Sequence, residues 1–315
     1  MSHFTVMVIG DDVEGKLYPF HELECTLTRE EIKEDPRCEF VVRIEKDDVR
    51  DYIAREVLRD VNGKLRRGED GKVLSDDLMK KYYELLKEKD YAQILDDWDG
   101  LELNEETGQY GRYTNPKATW DWYQVGGRWT GALKLKKLGD VPKEFRSFYE
   151  FTETGKPGLM TEEAEAGWVD SAPKVLIDWD TLNNPSKEQR QRDYDFWTKY
   201  VIPCSTKEFE ALSEHEQRNK ISKIEKELGY ATWYRAKYYK DRYKNRENYI
   251  RMNNMFSTYA VITEDGTWHA PGEMGWFGCS SESHEDSNRF HDTYFEKFIE
   301  PLSPETMITI VDCHI

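Results

Sequence analysis

The chain carries an apolar, β-branched run close to each end, HFTVMVI at His3–Ile9 and MITIVDCHI at Met307–Ile315. Runs of this kind, bounded by turn signals such as Gly10-Asp11-Asp12, read as buried strands. An apolar strand left at an open edge is a site of aggregation, so both must be paired. The simplest arrangement places them in one sheet. The expected fold class is therefore α+β, with a central, mostly antiparallel sheet that contains both terminal strands and carries a helical insertion.

The rest of the chain is divided around that requirement. Segment 39–45, EFVVRIE, reads as a third strand, and residues 48–60 and 76–98 as helices, the latter from the spacing of Leu78, Tyr82, Leu85 and Leu86. Residues 99–119 are polar and rich in turn formers, which predicts a loop. GALKLKK, from Gly131, alternates like a half-exposed strand, and 138–185 reads as irregular. A helix is expected from a Ser205 cap to about Leu228, where Gly229 ends it, and a second over about Ala231–Arg251. Asp265-Gly266 signals a hairpin within Phe256–Ala270. A helix follows around Asp286–Ile299, with Phe290, Tyr294, Phe295 and Phe298 on one side. The expected organisation is a core domain over 1–185 and 253–315 and a helical insertion over 186–252.

Only 38% of residues are hydrophobic, but 13% are aromatic, and ten Trp and nineteen Tyr carry enough area for a core. Net charge is −17, yet acids and bases are interspersed, which fits a solvated surface better than the single-sign face of a phosphate-backbone mimic. The cysteines, Cys25, Cys38, Cys204, Cys279 and Cys313, are odd in number and form no CxxC, as expected of reduced thiols. MSHFTVMVIG lacks a basic n-region, and no run reaches the length of a membrane span. A cytoplasmic protein with no membrane association is the expectation.

Four stretches contain residues able to do chemistry. In WDWYQVGGRWTG, Trp120, Trp122 and Trp129 can wall a base or sugar, Gly126 and Gly127 permit close approach, and Arg128 can hold an anion. The same residues also fit a tight turn, with the indoles in the core and Arg128 paired to an acid, and aromatic clusters are more often core than site. No GxGxxG or GK[ST] is present. In PGEMGWFG, Glu273 and Trp276 sit in a glycine-framed loop that reads as a binding rim or a lid, with Glu273 a candidate base or a partner for Arg128. In VDCHI, Asp312 and His314 share one strand face, and His3 joins them if the terminal strands pair, giving a candidate acid–base or metal site. The spacings HxH, HxxxH and HExxH are missing, so no metal is assigned, and no cofactor is identified. There is no GxSxG, and Cys279 near His284 is a weak Cys/His pair.

The fourth stretch, 216–251, holds eleven Lys or Arg against five acids, interleaved with Tyr230, Trp233, Tyr234, Tyr238, Tyr239, Tyr243 and Tyr249. Cations and aromatics are the materials of a single-strand surface. Tyr230, Tyr234 and Tyr238 form an i, i+4 stripe that fits core packing, so nucleic acid is not expected as a partner.

MSHFTVMVIG, NPKATWDWYQVGGRWTG, GKPGLM at 155–160, GEMGWFG and VDCHI together resemble blocks of an uncharacterised family of bacteriophage and bacterial proteins. The resemblance does not extend over about 180–250. It implies a phage or prophage accessory protein, located in the host cytoplasm if phage-encoded, and it implies that the blocks meet in space. It carries over no activity, cofactor or catalytic residue. Three functions fit these residues. The first is binding of a small anionic or nucleotide-like ligand, or of a host factor, through a cleft of Trp120, Trp122, Gly126, Gly127, Arg128, Trp129, Glu273 and Trp276. The second is a hydrolase or phosphoesterase using His3, Asp312 and His314, with or without a metal. The third is an acidic module that inhibits a host protein.

Overall fold

A computed structural model describes residues 2–53, 57, 81–82, 84–85, 87–88, 90–150, 167–275 and 279–315. The strands are β1 (His3–Ile9), β2 (Glu39–Ile44), β3 (Glu102–Leu103), β4 (Tyr110–Thr114), β5 (Trp122–Val125), β6 (Leu133–Lys134), β7 (Trp168–Val169), β8 (Ser171–Pro173), β9 (Ala260–Ile262), β10 (Trp268–His269) and β11 (Met307–His314). Contacts divide the chain into two units, one of Met1–Tyr18 with Trp122–Ile315, the other of Pro19–Asp121. The expected insertion over 186–252 falls inside the first unit. Residues 19–121, expected in the core domain, form the second.

The sheet of the first unit runs β10-β9-β1-β11-β5, with β8 also on β11. β1 and β11 pair antiparallel along their full length, from His3 opposite His314 to Ile9 opposite Ile308. All other pairings of this sheet are antiparallel except β1 with β9. The fold is thus α+β, with both terminal strands at the centre of a mostly antiparallel sheet. Backbone bonds between Ser2 and Ile315 close the far end of the β1–β11 ladder.

Alternation along these strands makes two faces. One presents Met7, Ile9, Ile308 and Ile310, which are buried with Val261 against Tyr294 and Phe298. The latter belong to the helix His284–Phe298, started by a capping box between Ser283 and Asp286. Phe290, Tyr294 and Phe298 recur every four residues, so one stripe of that helix lies on the sheet. The Tyr294 hydroxyl is paired with Thr258 Oγ1 at 2.7 Å, which satisfies its one polar atom in the core.

His291 lies on the same helix and its Nδ1 is 2.8 Å from Ser257 Oγ. Burial pushes its pKa below the ordinary imidazole value, and Arg242 and Arg251 push the same way against Asp292. The folded protein therefore holds His291 neutral where the unfolded chain begins to protonate. Its contribution is full above the unfolded value of about 6.5 and is lost as pH falls below that toward the lowered folded value. Urea midpoints across this range should decline toward acid and decline less in His291→Gln. His269, lowered by its own burial and by Lys297, leaves a residual slope. Identical slopes in the variant and the wild type would refute the assignment.

Residues 186–254 hold a core of their own, with Phe196, Trp197, Tyr200, Val201, Cys204, Phe209, Ala236 and Tyr249 buried. Two long helices were expected here, and both are broken. Ser205 is not a cap: Thr206 caps Lys207–Glu210, and Ser213 starts Glu214–Leu228 with a capping box to Glu216. Ala236–Tyr243 stops at Lys244, in the left-handed region at φ 65°, and Asn245 caps Arg246–Asn254. Caps that satisfy the free N–H groups of a new helix outweighed the continuity of the apolar pattern. A further helix, Lys187–Phe196, continues into a π-turn at Trp197–Val201.

In the second unit β2, β4 and β3 form a small antiparallel sheet. The expected loop over 99–119 thus contains two strands. EFVVRIE is a strand as expected, and its partner is β4. The core here gathers Ile44, Val49, Ile53, Ile94, Leu95 and Tyr110. Of the expected helices, Val49–Tyr52 and Tyr91–Asp99 are described, and Tyr82 is buried in this core. Leu78 and Leu86 lie outside the described residues.

Candidate functional site

The register of β1, β11 and β5 puts His3, His314 and Trp122 directly opposite one another in one cross-strand row. Thr5, Asp312 and Gln124 form the next row on that face. The row continues the face whose other end is the apolar core, so the sheet face changes from apolar to polar toward its His3 end. The imidazoles of His3 and His314 meet edge to face at 4.9 Å, and His3 lies 6.2 Å from the Trp122 ring.

Asp312 is 1% exposed and both its oxygens are engaged. Oδ1 lies 2.9 Å from His3 Nδ1, and Oδ2 accepts the backbone N–H of Arg128 at 3.0 Å. A carboxylate only accepts, so His3 donates through Nδ1 and turns Nε2 away from Asp312. This is the arrangement that orients an imidazole for proton transfer or for holding a ligand.

The turn after β5 is built around two carboxylates. Gly126 and Gly127 have φ 70° and 53°, and the short helical turn Gly127–Trp129 follows. A Cβ on Gly127 would lie 2.4 Å from the Asp312 Cβ, and one on Gly126 would lie 2.2 Å from Asp170 Oδ2. Asp170 also accepts from Gly131 N and Thr130 Oγ1. The glycines are therefore explained by close approach of Asp312 and Asp170. Arg128 itself is exposed, and among the described residues no side chain is seen to pair with its guanidinium.

The loop that follows the hairpin reaches this end of the sheet. Ser2 Oγ donates to the Gly275 carbonyl at 2.9 Å, next to His3. Parts of four of the sequence blocks thus meet here: Ser2-His3, Trp122–Arg128, Gly275 and Asp312–His314. GKPGLM lies outside the described residues.

Not every expected site residue joins them. Trp120 is 5% exposed, belongs to the second unit, and stacks on His21 at 4.4 Å, so it offers no open face there. Trp129 is half-buried and packs on the apolar core. Glu273 is exposed, with its N–H bound to Ser281 Oγ, and no bond to Arg128 is seen. Trp276 lies outside the described residues. Among the described residues no group of three or more His, Cys, Asp and Glu side chains is placed to hold a metal ion. His3, Asp312 and His314 do come together, but Asp312 is occupied by His3 and the Arg128 N–H. The Cys279–His284 pair does not form: His284 packs edge-on against Tyr238. Cys313 points to the opposite face from Asp312, and burial raises its thiol pKa, which suits packing and not nucleophilic attack.

Asp170 was not foreseen. It lies in an irregular stretch between two very short strands, and no spacing ties it to Gly126. No helix among the described residues is long and apolar enough to cross a membrane. No protein-family model, curated protein or solved structure matches this chain.

Proposed function

We propose that the chain is a binding protein, a phage or prophage accessory factor that takes a small anionic, ring-bearing ligand of nucleotide type at the His3 end of its central sheet. The observation that carries this is Trp122, 49% exposed on β5 and continuous with His3 and His314 in one row. A base stacks on the open indole, the imidazoles supply polar edges, and Arg128 holds the phosphate or carboxylate. Among the described residues the expected wall of several tryptophans is reduced to Trp122, and the ligand lies on its open face. The resemblance to phage-encoded proteins supports the accessory role.

The two side chains can be removed without disturbing the turn, because Asp312 is held by the backbone of Arg128. Thermal-shift titration with nucleoside mono- and triphosphates should raise the melting temperature. Trp122→Ala and Arg128→Ala should each weaken binding about tenfold while stability in urea stays within about 0.5 kcal/mol. The proposal fails if no nucleotide shifts the wild type, or if both variants bind as it does.

A second reading rests on the His3–Asp312 contact, which fits a metal-independent acid–base pair. In that case His3→Gln would abolish turnover of a phosphoester substrate while leaving nucleotide binding measurable. Unchanged turnover in that variant would remove the reading.

A further inference from the structure

Trp233 is 88% exposed and its neighbour Tyr234 58%, in a segment where Phe196, Tyr200 and Tyr249 are buried. Burying an indole is among the largest favourable terms available to a side chain, so one left in water on an ordered loop calls for an explanation. This loop is ordered by contacts on both sides of Trp233. Glu225 Oε1 accepts from Thr232 N at 2.7 Å and from Thr232 Oγ1 at 3.0 Å. The hydroxyl of Tyr200, presented by the π-turn Trp197–Val201, donates to the Tyr234 carbonyl at 2.7 Å. Tyr234 in turn stacks on Tyr238 at 4.6 Å and 25°, and Arg242 donates to the Tyr238 hydroxyl. The result is an exposed indole on an anchored loop, next to a two-ring stack outside the local core.

Exposed cations flank it, although the Glu225 carboxylate is held on Thr232. Arg235, Lys237 and Lys240 are exposed on the same loop and the helix that follows, and only Lys237 has an acidic partner among the described residues, Glu210 at a loose 3.8 Å. The segment 216–251 is cationic in a chain of net charge −17. The tyrosine stripe that argued for core packing is split by the fold. Tyr230 and Tyr239 pack on that core, while Trp233 and Tyr234 face outward.

We propose that Trp233 and Tyr234, flanked by Arg235, Lys237 and Lys240, form a stacking platform for single-stranded nucleic acid. Exposed ring faces accept unpaired bases of any sequence, and the cations follow the phosphates. An acidic polypeptide would use the charges but leave the ring faces idle, which favours nucleic acid.

Fluorescence anisotropy with a labelled oligothymidylate tests this in the full chain, with polyglutamate and duplex DNA as competitors. The oligothymidylate should bind, more weakly as salt rises. Trp233→Ala and Tyr234→Ala should each weaken it about tenfold or more, with melting temperature unchanged because both rings are exposed and the Tyr234 carbonyl is retained. Arg235→Glu should reduce the salt dependence. No binding at low salt, full affinity in Trp233→Ala, or equal competition by polyglutamate would each overturn the proposal.

Discussion

Gly127→Ala should lose about 3 kcal/mol or more of folding stability, seen as a large drop in the urea midpoint. Two effects add. The residue sits at φ 53°, where a Cβ is strained, and that Cβ would lie 2.4 Å from the Cβ of Asp312. The Asp312 Cβ is fixed by the β11 backbone, so no rotamer change relieves the contact. Gly126→Ala differs in a useful way. Its clash is with the carboxyl group of Asp170, which Asp170→Ala removes, so the double variant should recover part of the loss. Gly139→Ala, with nothing within 4 Å of its Cβ position, should lie within about 0.5 kcal/mol of wild type. A Gly127→Ala protein as stable as that control would show that the turn does not press on Asp312.

Asp312→Ala is the second large effect. The carboxylate is buried and receives two donors, His3 Nδ1 and Arg128 N. Its removal leaves a part-buried backbone N–H and an imidazole N–H without acceptors and opens a small void. The expected loss is about 2–4 kcal/mol, and Asp312→Asn, which keeps one acceptor oxygen, should lose less. The same variant frees the His3 ring and the turn that carries Arg128, so any ligand affinity of the Trp122 face should fall with it. Stability within the error of wild type would mean that the carboxylate does not tie the turn to the strand.

The central sheet was legible because its signals are local and strong. Seven residues of HFTVMVI and the run MITIVDCHI have no other stable environment than a buried pair, and Asp265-Gly266 marks the β9–β10 turn with Gly266 at φ 80°. From that pairing alone His3, Asp312 and His314 had to be neighbours. Not all the small strands were legible. β3 and β7 are two residues each and lie in polar or glycine-rich surroundings, so their existence depends on partners elsewhere in the chain, whereas β6 falls inside GALKLKK, whose alternation marked it. The division at Pro19 and Asp121 was missed for the same reason, since nothing in composition changes there. The tryptophan cluster was half legible. Three indoles within ten residues point to an aromatic site, but Trp120, Trp122 and Trp129 are separated by the unit boundary and by a tight turn, and only one keeps an open face.

The middle position of β11 has a consequence for how the protein is made. β1 is synthesised long before its antiparallel neighbour, residues 307–314, which also receive β5 and β8. Until those residues leave the ribosome, three strands wait without their common partner. The second unit, whose strands span 39–114, can close long before. β1 therefore stays available to chaperones, or to misassembly, until the residues of β11 are made.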